Sequence, residues 1–476
     1  MLRLLEVFVF KQRKGVGMGN VKRLKSSPVA APVAAPVTAL EYIQKAFAMI
    51  TFSGEVRYLD KKQLQDILSG SDAGPLDFYK WGDFQVLMRR EIEVLPVDCN
   101  KKQVLADFRT SPKTDCFSGV AFSPVKQPSD IINWWVGATV KPCKGDWAVI
   151  ESYLKEVICD NDQALYTDLK YRLAHMLQKP EEKPGIMVVL LGEQGTGKGV
   201  FFSLLRKIWS RTFLLVSDVD SVVGRFNAGL ERNYVICLDE ALFHGDKHSM
   251  ERLKSLITED TIVIEEKYSP SRSIDSYHRF FAASNNDQFG HIASDDRRFL
   301  FLRVSSSKKQ DTNYFSTVVG AIKDDLVIGA MVDELMNVDL SAYNARQRPI
   351  TTEHCSQRLQ SLIGFDRYWF EVLFHEDVNF VGDRMYVRGP DFEKLFVETK
   401  DLIGNLERFE KSASRFNGIQ ARGVNAAIGK LCPSAIPKRE HNKRGFQLPP
   451  IEVAREEFAK AIGVKVDWDT GEAIND

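Results

Sequence analysis

Continuous apolar runs alternate with helically spaced apolar residues in the middle of the chain. Residues 186–191 form one such run, and residues 200–209 repeat apolar side chains at helical spacing. Two later runs, 234–238 and 280–283, are apolar throughout, which is typical of strands buried on both faces of a parallel sheet. The pattern predicts the α/β fold class, with a mostly parallel central sheet.

A glycine-rich turn lies between the first run and the helix. Residues 192–199 read Gly-Glu-Gln-Gly-Thr-Gly-Lys-Gly. Glycines let several backbone N–H groups point at one anion, and the helix N-terminus adds to that field. Lys198 can reach the β- and γ-phosphates of a nucleotide, whereas Gly199 stands where the G-x-x-x-x-G-K-[ST] pattern has a magnesium-binding hydroxyl. The predicted nucleotide-binding residues are Gln194, Gly195, Thr196, Gly197, Lys198, Gly199 and Val200.

Two carboxylates, Asp239 and Glu240, follow the apolar run at 234–238. Charges at the end of a buried strand are costly unless they have a partner or a function. Beside a bound nucleotide, Asp239 can hold a metal ion and Glu240 can orient an attacking water. The other interpretation is a solvated acidic turn.

Polar side chains also follow the later strands. Asn285, or its neighbour Asn286, can hydrogen-bond the γ-phosphate or the water at the end of the run 280–283. Arg297 or Arg298 can neutralise the charge of a nucleotide held by a neighbouring subunit. Each of the four could equally be an ordinary surface group.

The order of these motifs resembles the superfamily 3 helicases, and within them the AAA+ ATPase domains of phage, plasmid and satellite primase–helicases. The resemblance covers about residues 125–360. It implies a P-loop NTPase core, with Lys198 as the phosphate-loop lysine and Asp239 and Glu240 as the acidic pair. It also implies Asn285 as the sensor asparagine and Arg297 as an arginine finger acting in a ring, which the resemblance suggests is a hexamer.

A hairpin is predicted between the acidic pair and the sensor, because apolar residues flank a Ser-Pro-Ser turn at 269–271. The resemblance places such a hairpin in the channel of a ring, where Lys267 and Arg272 could track a DNA backbone and Tyr268 could stack on a base. The alternative is a solvated hairpin, since Glu265 and Glu266 offset its positive charge.

Composition limits the other functions. The formal net charge is zero, so any contact with DNA must be local. The seven cysteines are scattered without a C-x-x-C pair, which argues against a zinc site and a disulfide framework and fits a reducing cytoplasm. No apolar run of about eighteen residues appears, so no membrane span is expected. The expected location is the cytoplasm of a bacterial host.

Three other groups of residues could suggest metal chemistry. The triplets 160–162 and 218–220 have D-x-D spacing, but helix caps and turns are the preferred interpretation. The run 244–248 contains two histidines without further nearby ligands, which argues against zinc. Primer synthesis is therefore not assigned to this chain, which leaves room for a separate primase or polymerase as a partner.

Changes in residue composition and apolar spacing along the chain predict four regions. Residues 1–39 are a tail with a Pro/Ala linker, and 40–125 a small mixed α/β domain. The ATPase-like region with its helical lead-in spans 126–345, and 346–476 form a mainly helical, winged-helix-like domain. The wing of that domain would carry Lys438, Arg439, Lys443 and Arg444, although a solvated basic turn explains those residues as well.

Together these expectations describe a ring-forming, ATP- and Mg²⁺-dependent replicative helicase that acts on single-stranded and forked DNA. One alternative is an ATP-dependent replication initiator or primase-loading scaffold without processive unwinding. Another is an antiviral or signalling AAA+ ATPase, whose turnover DNA would not stimulate.

Overall fold

A computed structural model describes most of the chain outside the amino-terminal tail. The described residues are 38–52, 54–69, 76–93, 99–240, 247–267, 271–285, 289, 296–378, 396–412 and 421–474. The Pro/Ala linker, Tyr268, Asn286 and residues 244–246 of the two-histidine run lie outside them. Within the described residues, no helix combines the length and apolar character needed to cross a bilayer.

The amino-terminal region packs helices around a short sheet. Its helices and strands, in chain order, are α1 (Ala39–Ala46), β1 (Phe47–Phe52), β2 (Glu55–Asp60), α2 (Lys61–Ser69), α3 (Trp81–Glu93), α4 (Lys101–Thr110), β3 (Cys116–Phe117), β4 (Gly119–Ala121) and β5 (Ile131–Asn133). β1 pairs with β2 in antiparallel and with β3 in parallel orientation, and β4 pairs in parallel with β5. Ile43, Phe84 and Phe108 are fully buried in the apolar cluster of this region.

A helical lead-in precedes the central sheet. It consists of α5 (Ala148–Ser152), a π-helical turn (Tyr153–Ile158) and α6 (Gln163–Gln178). The Asp162 side chain accepts hydrogen bonds from two backbone N–H groups at the start of α6, and Asp218 Oδ1 accepts one from the backbone N–H of Asp220. Asp162 therefore caps a helix and Asp218 closes a turn, which agrees with the preferred interpretation of the two D-x-D triplets.

The central sheet has five strands, all parallel. The strands and helices of this region, in chain order, are β6 (Met187–Leu191), α7 (Lys198–Ile208), β7 (Phe213–Val216), α8 (Asp220–Val223), β8 (Val235–Leu238), α9 (Lys247–Thr258), β9 (Thr261–Ile264), β10 (Arg272–Asp275), β11 (Arg279–Ser284) and β12 (Phe299–Arg303). The strand order is β12-β6-β11-β8-β7, and β9 and β10 form a separate antiparallel hairpin, as predicted. The expectation of an α/β fold with a mostly parallel sheet is confirmed.

Alternate residues of each central strand enter two different cores. In β6, Val188 and Leu190 join a cluster that includes α6 and α7. Met187, Val189 and Leu191 join another with α9 and the β9–β10 hairpin. Because both faces are covered, the central strands read as uninterrupted apolar runs.

The carboxyl-terminal region has a core of its own. After α10 (Thr312–Lys323) and α11 (Asp325–Met336) come α12 (Thr352–Gln360), α13 (Gly364–His375), β13 (Phe396–Glu398), α14 (Thr399–Ser412), α15 (Ala421–Leu431), β14 (Ile436–Glu440), β15 (Lys443–Gln447), α16 (Ile451–Ile462), β16 (Lys465–Asp467) and β17 (Glu472–Ile474). β13, β15 and β14 form one sheet in that order. His441 and Asn442, both with positive φ, turn the chain between β14 and β15. The aromatic residues of α13, including Tyr368 and Trp369, are core residues.

Candidate phosphate-binding site

The predicted phosphate loop lies at the carboxyl edge of the central sheet. β6 ends at Leu191, and the backbone N–H of Gly192 donates to the carbonyl of Ser284 at the end of β11, over 3.3 Å. The neighbouring strand β8 ends one residue before Asp239. Parallel pairing of β6, β11 and β8 therefore brings the loop, Asn285 and Asp239 to one edge, where open α/β sheets bind ligands.

Two glycines give the loop its shape. Gly195 and Gly197 have φ values of 83° and 102°, a left-handed region that other residues rarely adopt. A Cβ on Gly197 would lie 2.5 Å from the ring of Phe315, so the position also excludes a side chain on grounds of space. Glycine is therefore required at 197 for both reasons.

Residues far along the chain hold this loop. The Tyr153 hydroxyl, in the π-helical turn, donates to the Gly197 carbonyl over 2.9 Å, and the backbone N–H of Gln310 donates to the Gly195 carbonyl over 3.1 Å. Lys309 pairs with the Glu193 carboxylate. The motif-based prediction missed these contacts, because nothing in the local sequence of 192–199 indicates which distant residues support the loop.

The loop presents unused backbone donors. Within the part of the chain that the structure describes, no backbone N–H from 194 to 199 donates a hydrogen bond. Three of these groups, at 197–199, lie at the N-terminus of α7, where the helix dipole favours negative charge. The loop therefore has the donors that an anion site needs.

Lys198 is folded back onto the loop. Its ammonium donates to the carbonyls of Gly192 and Glu193 over 2.6 and 2.8 Å, and the residue is only 8% exposed. Burial lowers the pKa of Lys198 from its usual value, and the negative charges of Asp239, Glu193 and Glu240 oppose that shift. The lysine thus lies close to the acidic pair as well as to the loop, and a phosphate would compete with two neutral carbonyls for it.

The acidic pair is accessible at the end of β8. Asp239 is half-buried and Glu240 is exposed. Glu240 has a φ of 55°, and its backbone N–H donates to Asp239 Oδ1 over 3.1 Å. A left-handed backbone conformation at a residue other than glycine costs of order 1–3 kcal/mol of conformational free energy, and such residues occur often at functional sites.

One carboxylate beside a triphosphate suits Mg²⁺, which is commonly held by one or two carboxylates together with phosphate oxygens. The described residues contain no group of three His, Cys, Asp or Glu side chains that could hold a metal without such a ligand. Asp239 fits the role of a protein ligand to a phosphate-bound metal ion.

The remaining predicted residues lie in different environments. Asn285 is exposed directly after β11. Arg297 is exposed and makes no hydrogen bond or ion pair within the described residues, whereas Arg298 contacts Asp296 over 3.4 Å. On the hairpin, the ammonium of the exposed Lys267 lies 5.4 Å from the Phe226 ring centroid, and Arg272 Nε and Nη2 donate to the Glu231 carboxylate over 2.7 and 2.5 Å.

The absent hydroxyl at position 199 gives a direct test of metal binding. Gly199 is exposed, and a Cβ there would meet no atom within 4 Å. In Gly199→Thr we expect the affinity for a magnesium–triphosphate complex to rise roughly tenfold, since about 1.4 kcal/mol from one added oxygen ligand gives that factor. Calorimetric titration with and without Mg²⁺ measures the effect.

Gly199→Ala is the matched control for this test, because it adds the Cβ without the oxygen. An equal gain in the alanine variant, or a gain that persists in EDTA, would contradict a metal contact at this position.

The known proteins that this chain resembles are of another class than the one expected. Residues 190–298 match a family model described as a family of unknown function, DUF5906. Over 133 residues the chain is 29% identical to a DNA primase-polymerase of Nitratiruptor phage NrS-1, a match covering 27% of this chain and 18% of that protein. The match therefore spans less than a fifth of the relative's length.

The fold resembles solved structures of the NrS-1 C-terminal region. An A-form apo structure superposes with a TM-score of 0.56 at 18% identity, covering 87% of this chain and 99% of the other. A second apo structure gives a TM-score of 0.54 at 17% identity, with the same coverage. At this identity the likeness concerns the fold alone.

These findings correct the functional expectation. The assignment to superfamily 3 helicases and the AAA+ class is wrong, and so are the ATPase/helicase activity and its initiator or scaffold alternative, because the matching relative is a primase-polymerase. The physical reason is that a glycine-rich loop followed by an acidic strand end binds phosphates in many proteins and does not specify what is done with them. DNA replication is the part of the expectation that the comparisons support.

Proposed function

We propose that this chain acts in DNA replication as a nucleotide- and DNA-binding region of a DNA primase-polymerase. The single observation that carries the nucleotide part is the loop at 194–199, whose backbone donors are unused beside the Lys198 ammonium. The sequence similarity to a phage primase-polymerase supports the replication part. The fold likeness to the NrS-1 C-terminal region, which covers 87% of this chain, agrees with the proposal.

In this proposal the loop binds the triphosphate of a nucleotide. The phosphates accept from the backbone N–H groups of the loop and from Lys198, and Asp239 would hold a Mg²⁺ ion that would neutralise part of the phosphate charge. Glu240 and Asn285 lie at the same carboxyl edge of the central sheet, where the proposal places the terminal phosphate. The nucleotide is ATP in our proposal, and titration of the other ribonucleotides and deoxyribonucleotides tests that choice.

The carboxyl-terminal region supplies a candidate DNA contact. Among the described residues, the order α13, β13, α14, α15 and the β14–β15 hairpin supports a winged helix with the hairpin as the wing. Arg439 and Arg444 lie directly opposite each other on this hairpin, and both are exposed. Like charges in opposed positions are unfavourable, and a phosphate between them would relieve that repulsion.

Replacing both Arg439 and Arg444 by alanine should weaken DNA binding, because it removes two positive charges that can contact phosphates. A plot of log affinity against log salt concentration has a negative slope. We expect its magnitude to decrease by about 1.4 for single strands and about 1.8 for duplex, since each phosphate contact contributes roughly 0.7 and 0.9. Fluorescence anisotropy of a labelled oligonucleotide over a salt series measures the slope.

Lys438→Ala is the control for the wing, since Lys438 already pairs with Glu440 over 2.5 Å. A slope that changes as much in this variant as in the double arginine variant would argue against a specific contact by Arg439 and Arg444.

Further partners belong to the same proposal. Arg297 is exposed and available to an anion of another molecule, so self-association is proposed, with a hexamer as the state to test by mass photometry with and without ATP. Single-stranded and forked DNA are the proposed nucleic-acid partners, and the proposed protein partner is the primase-polymerase module itself. The proposed setting is the cytoplasm of a bacterial host, since the relative is a phage protein.

The experiment for the proposal measures both ligands on the same chain. A fluorescent nucleoside triphosphate and a labelled single-stranded template are titrated separately and together in Mg²⁺. We expect both to bind, and the triphosphate to be displaced by unlabelled triphosphate but poorly by monophosphate, because the loop binds the phosphate chain. Absence of triphosphate binding at millimolar concentration would contradict the proposal.

A further inference from the structure

The phosphate loop is held from outside by two distant parts of the chain. One is the π-helical turn at Tyr153–Ile158, and the other is the segment 305–310 that follows β12. The two also hold each other, because the backbone N–H of Ser305 donates to the carbonyl of Val157 over 2.8 Å. We call the turn and the segment together the brace. The loop and the brace form a closed ring of contacts.

The brace contacts carbonyl oxygens of the loop. The Tyr153 hydroxyl donates to the Gly197 carbonyl over 2.9 Å, and the backbone N–H of Gln310 donates to the Gly195 carbonyl over 3.1 Å. The carbonyl at position 193 is held within the loop itself, by the Lys198 ammonium over 2.8 Å. Alternate carbonyls, at 193, 195 and 197, are therefore all fixed.

A fixed carbonyl also orients the next donor along the chain. A peptide unit is planar and trans, so its C=O and the N–H of the following residue point in opposite directions. The fixed carbonyls therefore direct the N–H groups of Gln194, Thr196 and Lys198 away from the partners of those carbonyls. Among the described residues these N–H groups have no acceptor, so the brace orients donors that an anion could use.

The brace is itself tightly constrained. Tyr153 is fully buried, and it lies in a π-helical turn, an irregularity that is frequent at functional sites. Gln310 has a φ of 60°, a left-handed conformation that a residue other than glycine keeps only where its surroundings enforce it. In this conformation its backbone N–H reaches the loop.

Lys309 adds an electrostatic contribution to the brace. Its ammonium pairs with the carboxylate of Glu193, whose side chain is 66% exposed at the start of the loop. Without that pairing, a negative charge beside the loop would repel a phosphate chain. Lys309 therefore offsets a charge that is unfavourable for an anion site.

We propose that the brace sets the affinity of the loop for a triphosphate, with Tyr153 and Lys309 as positioning residues that act through the loop. Tyr153 keeps the backbone donors oriented, and Lys309 keeps Glu193 neutralised. The brace presupposes the proposed function, because it acts on a loop that binds a triphosphate. It adds a dependence of that binding on residues far outside the loop.

Tyr153→Phe removes the hydroxyl and keeps the ring that fills the core. We expect the affinities for ATP and for inorganic tripolyphosphate to fall roughly 3- to 10-fold, the effect of one hydrogen bond. The loss is limited because the Gly197 carbonyl still accepts from the backbone N–H of Val200 over 2.9 Å. Tripolyphosphate has no nucleoside, so an equal loss with both ligands locates the effect at the phosphates. Isothermal titration in Mg²⁺ measures both affinities.

Tyr166→Phe is the matched control for the hydroxyl. Tyr166 also lies in the helical lead-in, is 5% exposed and donates to Glu151 over 2.6 Å. Because a hydrogen bond to a charged group is the stronger kind, this variant should lose at least as much stability while keeping full affinity. Thermal unfolding measures the stability of both variants. An affinity loss shared by both would reflect a general structural effect and overturn the positioning role of Tyr153.

Lys309→Ala tests the electrostatic contribution at a surface position, where the fold is little affected. We expect the affinity for both ligands to fall roughly 3- to 10-fold, because the Glu193 carboxylate then faces the phosphates without a partner. Adding Glu193→Gln to the same chain should restore the affinity. A double variant that stays weak would mean that Lys309 contacts the ligand itself, which would overturn its positioning role.

Lys308→Ala is the control for charge alone. It removes the same charge from the neighbouring residue, whose ammonium lies 5.2 Å from the centroid of the Tyr314 ring. This variant should bind both ligands like the wild type. A loss equal to that of Lys309→Ala would show that overall positive charge, and not the pair with Glu193, is responsible.

The outcomes distinguish the brace from the proposed function. If the wild type binds both ligands and neither Tyr153→Phe nor Lys309→Ala weakens them, the brace is overturned while the loop remains the nucleotide site. If the wild type binds neither ATP nor tripolyphosphate, the proposed function fails and the brace fails with it.

Discussion

Replacing Lys198 by alanine should reduce the affinity for a nucleoside triphosphate by about a hundredfold or more. The ammonium can donate to phosphate oxygens, and each such charge-assisted hydrogen bond contributes about 1.5–3 kcal/mol. Two bonds of even the lower value exceed a hundredfold, since each 1.4 kcal/mol is a factor of ten. Isothermal titration in Mg²⁺ measures the affinity.

Stability should change much less in this variant. The bonds that Lys198 makes in the free chain go to two carbonyls of its own loop, which water can reach once the side chain is removed. Unfolding of the variant therefore serves as an internal check that lost affinity reflects a lost contact.

Lys207→Ala is the matched control, because Lys207 lies at the far end of the same helix and pairs with Asp325 over 2.5 Å. It should bind triphosphate like the wild type. If Lys198→Ala bound as tightly as Lys207→Ala, the loop at 194–199 would not be the nucleotide site.

Replacing Lys254 by methionine should lower the free energy of unfolding by about 3–5 kcal/mol, the usual cost of removing one partner from a buried ion pair. Lys254 Nζ lies 3.2 Å from the Asp296 carboxylate, and their side chains are 7% and 1% exposed. Methionine keeps the length of the side chain, so the loss arises from weaker compensation of the Asp296 charge, which Arg298 Nη1 still contacts over 3.4 Å. Chemical denaturation measures it.

Glu251→Gln provides the comparison for this pair. Glu251 also contacts Lys254, over 3.0 Å, but its side chain is 58% exposed, so its removal should cost only about 0–1 kcal/mol. Equal losses in the two variants would contradict a dominant buried pair between Lys254 and Asp296.

The prediction succeeded where the determinants are local. The apolar run at 186–191 and the glycines after it specify a strand and a turn within a dozen residues, and β6 and α7 occur there. The hairpin at β9 and β10 was predictable for the same reason, because apolar residues flank a turn signal. Local spacing is sufficient for such elements.

Contacts between distant residues could not be predicted in this way. The Tyr153 hydroxyl reaches Gly197 from 44 positions away, and the backbone N–H of Gln310 donates to the Gly195 carbonyl over 3.1 Å. The helicase assignment failed for a related reason. Phosphate-binding residues follow a short pattern, whereas the reaction depends on surroundings that the pattern does not contain.

The central sheet is covered on both faces, and this limits where the chain can be truncated. Ala48, Ile50 and Leu59, from β1 and β2, belong to the same apolar cluster as Val188 and Leu190 of β6. Trimming the gene so that translation begins near residue 126 would therefore leave part of that cluster facing solvent, and such surfaces promote aggregation. Recombinant work on the loop is better done with these first strands retained.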